Sequence, residues 1–327
     1  MIKVSVIIPV YRVEPFIERC VSSLFSQSLE DVEFIFVDDA SPDNSIAIVE
    51  RSLEQFPNCK EHTRIIRHPV NRGISVVRNT GLDAATGNYI YYCDSDDWLE
   101  PEALEKMYRA AEGSGAEIVY CNFYISFEKN ERYMDNPDYD TAEEMLKKGF
   151  LGGKMKYNLW NKLVKRSLYT ESGIRFPEGH SIGEDMLMIR LAATANKVKH
   201  VPEALYHYVK LNENAYSNSY SQKNLDDIRY NADLTVNYLH NLFGNQIEKE
   251  LALFKLSTKL PFLITDNKNM YKVWSEWYPE ANQYANANKD LPARTRFLQV
   301  MAAKGQWWYV NLYYRFVYKF IYGALYK

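Results

Sequence analysis

The residues best suited to chemistry in this chain are acids, and they come in three clusters. Asp38-Asp39 and Asp94-Ser95-Asp96-Asp97 each close a run of apolar residues, and Glu184-Asp185 follows the turn residues Gly179 and Gly183. Carboxylates held together repel one another unless a cation or hydrogen-bond donors offset the charge. Asp94, Asp96 and Asp97 therefore point to a divalent cation with oxygen ligands, Mg2+ or Mn2+. The plain alternative is a solvated acidic turn that caps a helix opening at Pro101. Glu184-Asp185 has its own plain reading, first-turn acids favoured by a helix dipole. No glycine-rich fingerprint follows the first apolar run and no GxxxxGK[ST] occurs, which disfavours nicotinamide and P-loop enzymes. A nucleotide held by carboxylates and a metal fits what is left.

The elements that must position these acids alternate between two periods. Residues 3–10 (KVSVIIPV) and 32–37 (VEFIFV) read as strands buried on both faces, with a short third strand at 64–68 and a fourth at 88–93. Between them, one helix opens at Pro15 and carries Ile17, Val21, Leu24 and Phe25 on one face. A second follows the Ser41-Pro42-Asp43 turn with Ile46, Ile48, Val49 and Leu53, and a third covers 73–85. This alternation predicts βαβ units and an α/β fold with a parallel sheet. Ligands of open α/β sheets bind beyond the carboxyl ends of the strands. Pro9 and Tyr11 follow strand one, Asp38 and Asp39 strand two, and the Asp94–Asp97 turn strand four, so all converge on one edge.

Past residue 97 the pattern loosens. A helix at 101–111, a long strand at 116–127 near a sheet edge and a polar loop at 129–140 are expected. Helices at 141–150 and 184–196 and a strand pair around 198–210 come next. From about 220 the signal is helical, and the main seam is placed near 215.

The 327 residues are 46% hydrophobic and 25% charged, which excludes a disordered chain and suffices for a core without staples. A net charge of −3, from 39 basic and 42 acidic residues, gives no field to hold nucleic acid. Cys20, Cys59, Cys93 and Cys121 lack metal-ligand spacing and read as reduced thiols of a cytoplasmic protein. The opening apolar run is broken by Pro9, too short for a signal peptide, and no run reaches the about 18 apolar residues of a membrane span.

The end of the chain is different. Residues 291–327 hold six basic residues and no acidic one. Trp308, Leu312, Phe316 and Phe320 recur every fourth residue, as do Tyr313, Val317, Ile321 and Leu325, with Asn311, Arg315 and Lys319 between the rows. Such an amphipathic aromatic and basic helix suits a membrane interface, here the inner face of the cell membrane. The alternative is packing on the rest of the chain or on a second subunit of a homo-oligomer.

Read together, SVIIPVY at 5–11, VDDAS at 37–41, NRGISVVRNTGLDAATGNYI at 71–90, DSDDWL at 94–99 and GED at 183–185 resemble glycosyltransferase family 2 over about residues 3–210. The resemblance implies a GT-A fold, a Rossmann-like mixed sheet, and an inverting, metal-dependent transfer from a nucleotide-diphosphate sugar, a UDP-sugar, to a saccharide or lipid-linked acceptor. It implies a catalytic region at 1–215, with a nucleotide-binding half at about 1–97 and an acceptor half at 98–215, and a helical region at 216–327. Pro9 and Tyr11 would line the nucleoside pocket, and Asp39, with Asp38 beside it, would accept a base N–H. Arg78 would face the nucleotide and its diphosphate, or else pair with Asp83 or a surface carboxylate. Asp96 would lie against ribose and metal, Asp97 would be the direct metal ligand and Asp94 a ligand through water.

On the acceptor side, the resemblance makes Asp185 the general base, with Glu184 assisting. Trp160-Asn161-Lys162 resembles the WNK segment of the capsule-type branch, where Trp160 would stack on a sugar or else serve as core. His207 would be a late metal or phosphate ligand, or else a structural or exposed histidine. The arginine and serine of relatives are missing near it, with Lys210 and Ser217 as the nearest substitutes. Two other classes compete. One is a non-catalytic nucleotide-sugar-binding protein, against which the joint presence of Asp39, Asp96, Asp97 and Asp185 speaks. The other is a nucleotidyltransferase, which would want a glycine-rich loop and a signature lysine near strand one.

Overall fold

A computed structural model of the chain describes residues 1–211 and 221–322; Ser217 and Leu325 lie outside these, as do the side chains of Phe320 and Ile321. The chain divides into two compact units, Met1–Met145 with Tyr157–Thr235, and Leu146–Lys156 with Val236–Lys327.

The first unit begins β1 (Val4–Val10), α1 (Ile17–Phe25), β2 (Val32–Asp38), α2 (Ser45–Gln55), β3 (Thr63–Arg67), α3 (Ile74–Ala84) and β4 (Tyr89–Tyr92). It continues β5 (Trp98–Leu99), α4 (Ala103–Ser114), β6 (Ile118–Ser126), β7 (Glu131–Met134) and α5 (Ala142–Glu144). Then come β8 (Lys162–Lys165), α6 (Arg166–Ser172), α7 (Leu187–Thr194), β9 (Val198–Val209) and the start of α8 (Gln222–Phe243). Among the described residues the strands form one nine-stranded sheet ordered β3-β2-β1-β4-β8-β6-β9-β5, with β7 on β6. β1 runs parallel to β2 and β4, pairing Val10 with Asp38 and Ile7 with Tyr92. The carboxyl ends of β1, β2 and β4 therefore lie side by side, and the acidic turns meet at one edge.

Three expectations for the second half of the sheet are corrected. The strand expected near an edge, β6, is central, between β8 and β9. Its neighbour β8 (KLVK) is four residues long and opens and closes on lysine, so no apolar run announces it. The polar stretch 129–140 contains β7, paired with Phe123–Ser126. The strand pair expected around 198–210 is one strand, β9. Pro202-Glu203 falls where its register against β6 shifts, and a proline without an N–H is tolerated at such a bulge.

Packing follows the period of each element. α1 buries Ile17, Cys20, Val21, Leu24 and Phe25, and Phe25 meets Phe34, Phe36 and Phe56 edge-on. α3 packs on β1 through Gly81, where an added Cβ would lie 2.2 Å from Ile7 Cγ2.

The second unit is helical, with α9 (Glu248–Lys259), α10 (Lys268–Glu276), α11 (Ala293–Ala303) and α12 (Trp307–Tyr313), the last continuing as a π-helix over Tyr314–Tyr322. The buried Lys259 ammonium organises part of it. It donates to the carbonyls of Trp274 (3.1 Å), Trp277 (2.8 Å) and Tyr278 (3.1 Å) and to Asn282 Oδ1 (2.6 Å). Burial pulls its pKa down to about 8. No helix among the described residues is long and apolar enough to cross a membrane.

The same substitution is expected to act with opposite sign at two helical glycines. Gly81→Ala should destabilise by about 1–3 kcal/mol through overpacking against Ile7. Gly113→Ala in α4, where nothing lies within 4 Å of the new Cβ, should stabilise by about 0.5–1 kcal/mol. Urea unfolding of both variants measures this, and equal signs would contradict the packing described.

Candidate active site

Asp38 and Asp39 end β2 as expected, but both carboxylates turn first to the protein. Asp38 Oδ1 accepts from the Ser41 N–H at 2.8 Å. Buried Asp39 accepts from the N–H groups of Arg72 and Gly73, each at 2.8 Å, and lies 2.8 Å from His68 Nδ1. His68 reaches Thr80 Oγ1 through Nε2 at 3.0 Å, so the start of α3 is latched to the end of β2. Gly73, with φ of +86°, permits the turn. Three of a carboxylate's roughly four lone-pair positions are thus in use. Asp39 thereby anchors this loop. Pro9 is buried within β1, and Tyr11 beyond it is 40% exposed.

The Asp94–Asp97 turn splits its acids between two directions. Asp97 is 1% exposed, with Oδ2 accepting from the Tyr206 hydroxyl at 2.6 Å and Oδ1 from the Val209 N–H at 2.7 Å. Burial, reinforced by Asp96 and Asp94, holds its pKa well above the usual carboxylate range. Asp97, expected as the direct metal ligand, is instead turned inward, and both oxygens tie the turn to β9. Asp94 and Asp96 are the half-exposed members.

Arg78 is also reassigned. Its guanidinium is 4% exposed and is spent on carboxylates, not left facing a diphosphate. Nη1 donates to Glu184 Oε1 at 2.7 Å and Asp185 Oδ1 at 3.1 Å, and Nη2 to Asp94 Oδ1 at 3.1 Å. Asp83, the other partner considered, pairs with Arg175. Burial raises the pKa of both Glu184 and Asp185, with Asp185 raising Glu184 further, while the charge of Arg78 resists.

The loop carrying these two acids is held from α3 and α8. The Ser75 hydroxyl donates to the His180 carbonyl at 3.0 Å, the Ser181 N–H donates to Asp227 Oδ2 at 3.0 Å, and Asn231 Nδ2 donates to the Ile182 carbonyl at 3.0 Å.

Sequence reasoning missed the second cation of the site, although it stands in the WNK segment. Lys162 is buried, donating to the Asn158 carbonyl at 2.7 Å and Asn161 Oδ1 at 2.8 Å. Burial draws its pKa down to about 7, and Asp185 is the first charge that opposes the fall. Tyr157, half-buried, is near enough to Asp185 and Glu184 for their charge to add to the effect of burial in raising its hydroxyl pKa.

Three other expected residues have structural places. Trp160 is 7% exposed, edge-on to Phe123 (4.8 Å) and stacked with Tyr206 (4.6 Å) and Tyr208 (5.4 Å), so it serves as core and offers no sugar platform. His207 lies with Nε2 2.9 Å from Glu100 and Nδ1 2.8 Å from Glu131, its ring stacked on Trp98. Both nitrogens are engaged, which removes it from the metal set. Lys210 donates to the Tyr208 hydroxyl at 2.9 Å.

Among the described residues no three His, Cys, Asp or Glu side chains form a ready-made ion cage. An ion of the magnesium type is commonly held by one or two carboxylates together with substrate phosphates. Half-exposed Asp96 and Asp94 fit that donor set.

The split between neighbouring aspartates can be measured. Asp97→Ala leaves the Tyr206 hydroxyl and Val209 N–H without an acceptor in the interior and should cost on the order of 2–4 kcal/mol of stability. Asp96→Ala should cost about 1 kcal/mol or less. If denaturant midpoints rank the two the other way, the inward placement of Asp97 is wrong.

Comparison with known proteins now has a geometry to attach to. Residues 5–182 match the family model described as Glycosyl transferase family 2. The protein EpsH of Bacillus subtilis (strain 168) is 34% identical over 212 residues, 63% of this chain and 60% of EpsH, so the match spans less than two thirds of that relative. EpsJ of the same organism is 30% identical over 275 residues, 80% of this chain and 77% of EpsJ. In the crystal structure of S. aureus TarS 1–349 in complex with UDP-GlcNAc, the fold agrees with a TM-score of 0.72 at 20% identity, covering 96% of this chain and 92% of that one. The family match covers over half of the chain, on a mixed sheet whose acidic turns meet at one edge: the protein belongs to glycosyltransferase family 2 and has the GT-A fold.

Proposed function

We propose that this glycosyltransferase moves a sugar from a UDP-sugar donor to a hydroxyl of a saccharide or lipid-linked acceptor in surface polysaccharide assembly, with inversion at the anomeric carbon. The observation that carries the reading is the position of Glu184-Asp185, joined to Asp94 of the opposite turn by one buried guanidinium. A base and a leaving-group site are thereby set against each other at a fixed separation. The UDP-GlcNAc complex of TarS, on the same fold, supports the choice of donor.

In this reading residues 1–215 carry catalysis. The nucleoside lies against Pro9, Tyr11, Asp38 and the last lone pair of Asp39. Mn2+ or Mg2+ held by Asp96, with Asp94 through water, would supply Lewis-acid neutralisation of the departing diphosphate. The acceptor oxygen forms its bond to the anomeric carbon as the bond to the diphosphate oxygen breaks, and the bonding pair leaves with UDP. The hydroxyl proton passes to Asp185. Asp94 and Asp96 stand on the leaving-group side and cannot take it. Arg78 and Glu184 position the base, and Tyr157 takes over the acceptor-side aromatic role first given to Trp160.

Asp185→Asn keeps the shape of the side chain and removes the base. Turnover is expected to fall on the order of 10²–10⁴-fold, with UDP affinity nearly unchanged. Product formation and calorimetric titration of UDP with Mn2+, on the same variant, test both halves. Near wild-type transfer would overturn the assignment in favour of Glu184.

A further inference from the structure

A second candidate site lies wholly within the helical unit and plays no part in the proposed transfer. Between α10 and α12 is a cavity of about 790 Å³ whose lining includes Lys268, Lys272 and Arg315 and no carboxylate. The acids nearest these cations are already engaged. Glu276 lies 3.8 Å from Lys272 on the surface, and Asp266 pairs with Lys319 at 2.9 Å while feeling the charge of Arg315. Among the described residues the lining therefore carries three cations and no carboxylate, a positive surplus.

Its other wall is aromatic and apolar. Trp307 is fixed by stacking on Tyr271 (5.6 Å) and edge contact with Trp274 (6.4 Å). Trp308, Leu312 and Phe316, four residues apart, are 64%, 55% and 58% exposed beside it. Large apolar side chains on that scale beside a cationic hollow match a ligand with an anionic head and an apolar body. Lysine and arginine at such a boundary contact phosphate while tryptophan and leucine enter the acyl region.

We propose that this cavity binds the phosphate headgroup of an anionic phospholipid, with Trp308, Leu312 and Phe316 inserted among the acyl chains, so that the helical unit docks on a bilayer surface.

Flotation of the full chain with phosphatidylcholine vesicles, with and without phosphatidylglycerol, is the test. Binding is expected only with phosphatidylglycerol and should weaken as salt rises. K268Q/K272Q removes two exposed lysines and should lower vesicle affinity about 30-fold without changing sugar transfer in solution. W308S/L312S/F316S should lower it at least as much. Equal binding to neutral vesicles, or wild-type affinity in K268Q/K272Q, would overturn the proposal. So would light scattering that shows a dimer lost in W308S/L312S/F316S, since the apolar row would then belong to a second copy. Should the triple variant fail to fold, the lysine pair decides alone.

Discussion

The arrangement rests on one buried cation. Arg78 reaches from α3 to Asp94 on one side and to Glu184 and Asp185 on the other, at 2.7–3.1 Å. Desolvation pushes the pKa of Glu184 and Asp185 up, and the charge of Arg78 opposes that rise at both. Arginine suits the task better than lysine, since its planar fork serves several oxygens at once and keeps its proton. The same contact fixes distance. Asp94 belongs to the turn after β4 and Asp185 to the turn before α7, and the guanidinium sets how far apart they stand.

The proposed base, Asp185, is tuned from more than one direction. Burial lifts the pKa of Asp185, while Arg78 and the buried Lys162 oppose the lift. A carboxylate so placed is more basic than one in water, the direction that the proposed general-base role calls for. The loop that carries it is clamped by Asp227 and Asn231 of α8 and by Ser75 of α3. Precision in the reacting group therefore comes from residues distant in sequence.

The sheet-edge placement of the acids was legible because β1, β2 and β4 are buried on both faces and read as apolar runs. The second half of the sheet was less so. β8 is short and begins with a lysine that is buried only because Asn158 and Asn161 receive its protons. Composition cannot distinguish that lysine from a surface one. The motifs located the active-site acids but not their directions. Asp96 and Asp97 are neighbours of one type, and only the Tyr206 hydroxyl and Val209 N–H, more than a hundred residues on, turn the second inward. The partners of Arg78 are not legible in the sequence, because its three carboxylates come from two distant turns. His207 and Trp160 were drawn toward function by motif position, whereas the aromatic stack around them makes them core.

The central claim is that Arg78 holds Asp185 as an ionisable base opposite the leaving-group turn, and the pH dependence of transfer tests it most directly. A base with a raised pKa loses activity as pH falls through that value, so the wild-type rate should show an ascending limb above the usual carboxylate range. Arg78→Met removes the charge that opposes the rise in the pKa of Asp185. Its limb should move to higher pH, with the plateau rate lowered on the order of 10²-fold or more. A variant with the wild-type limb and plateau would contradict the account.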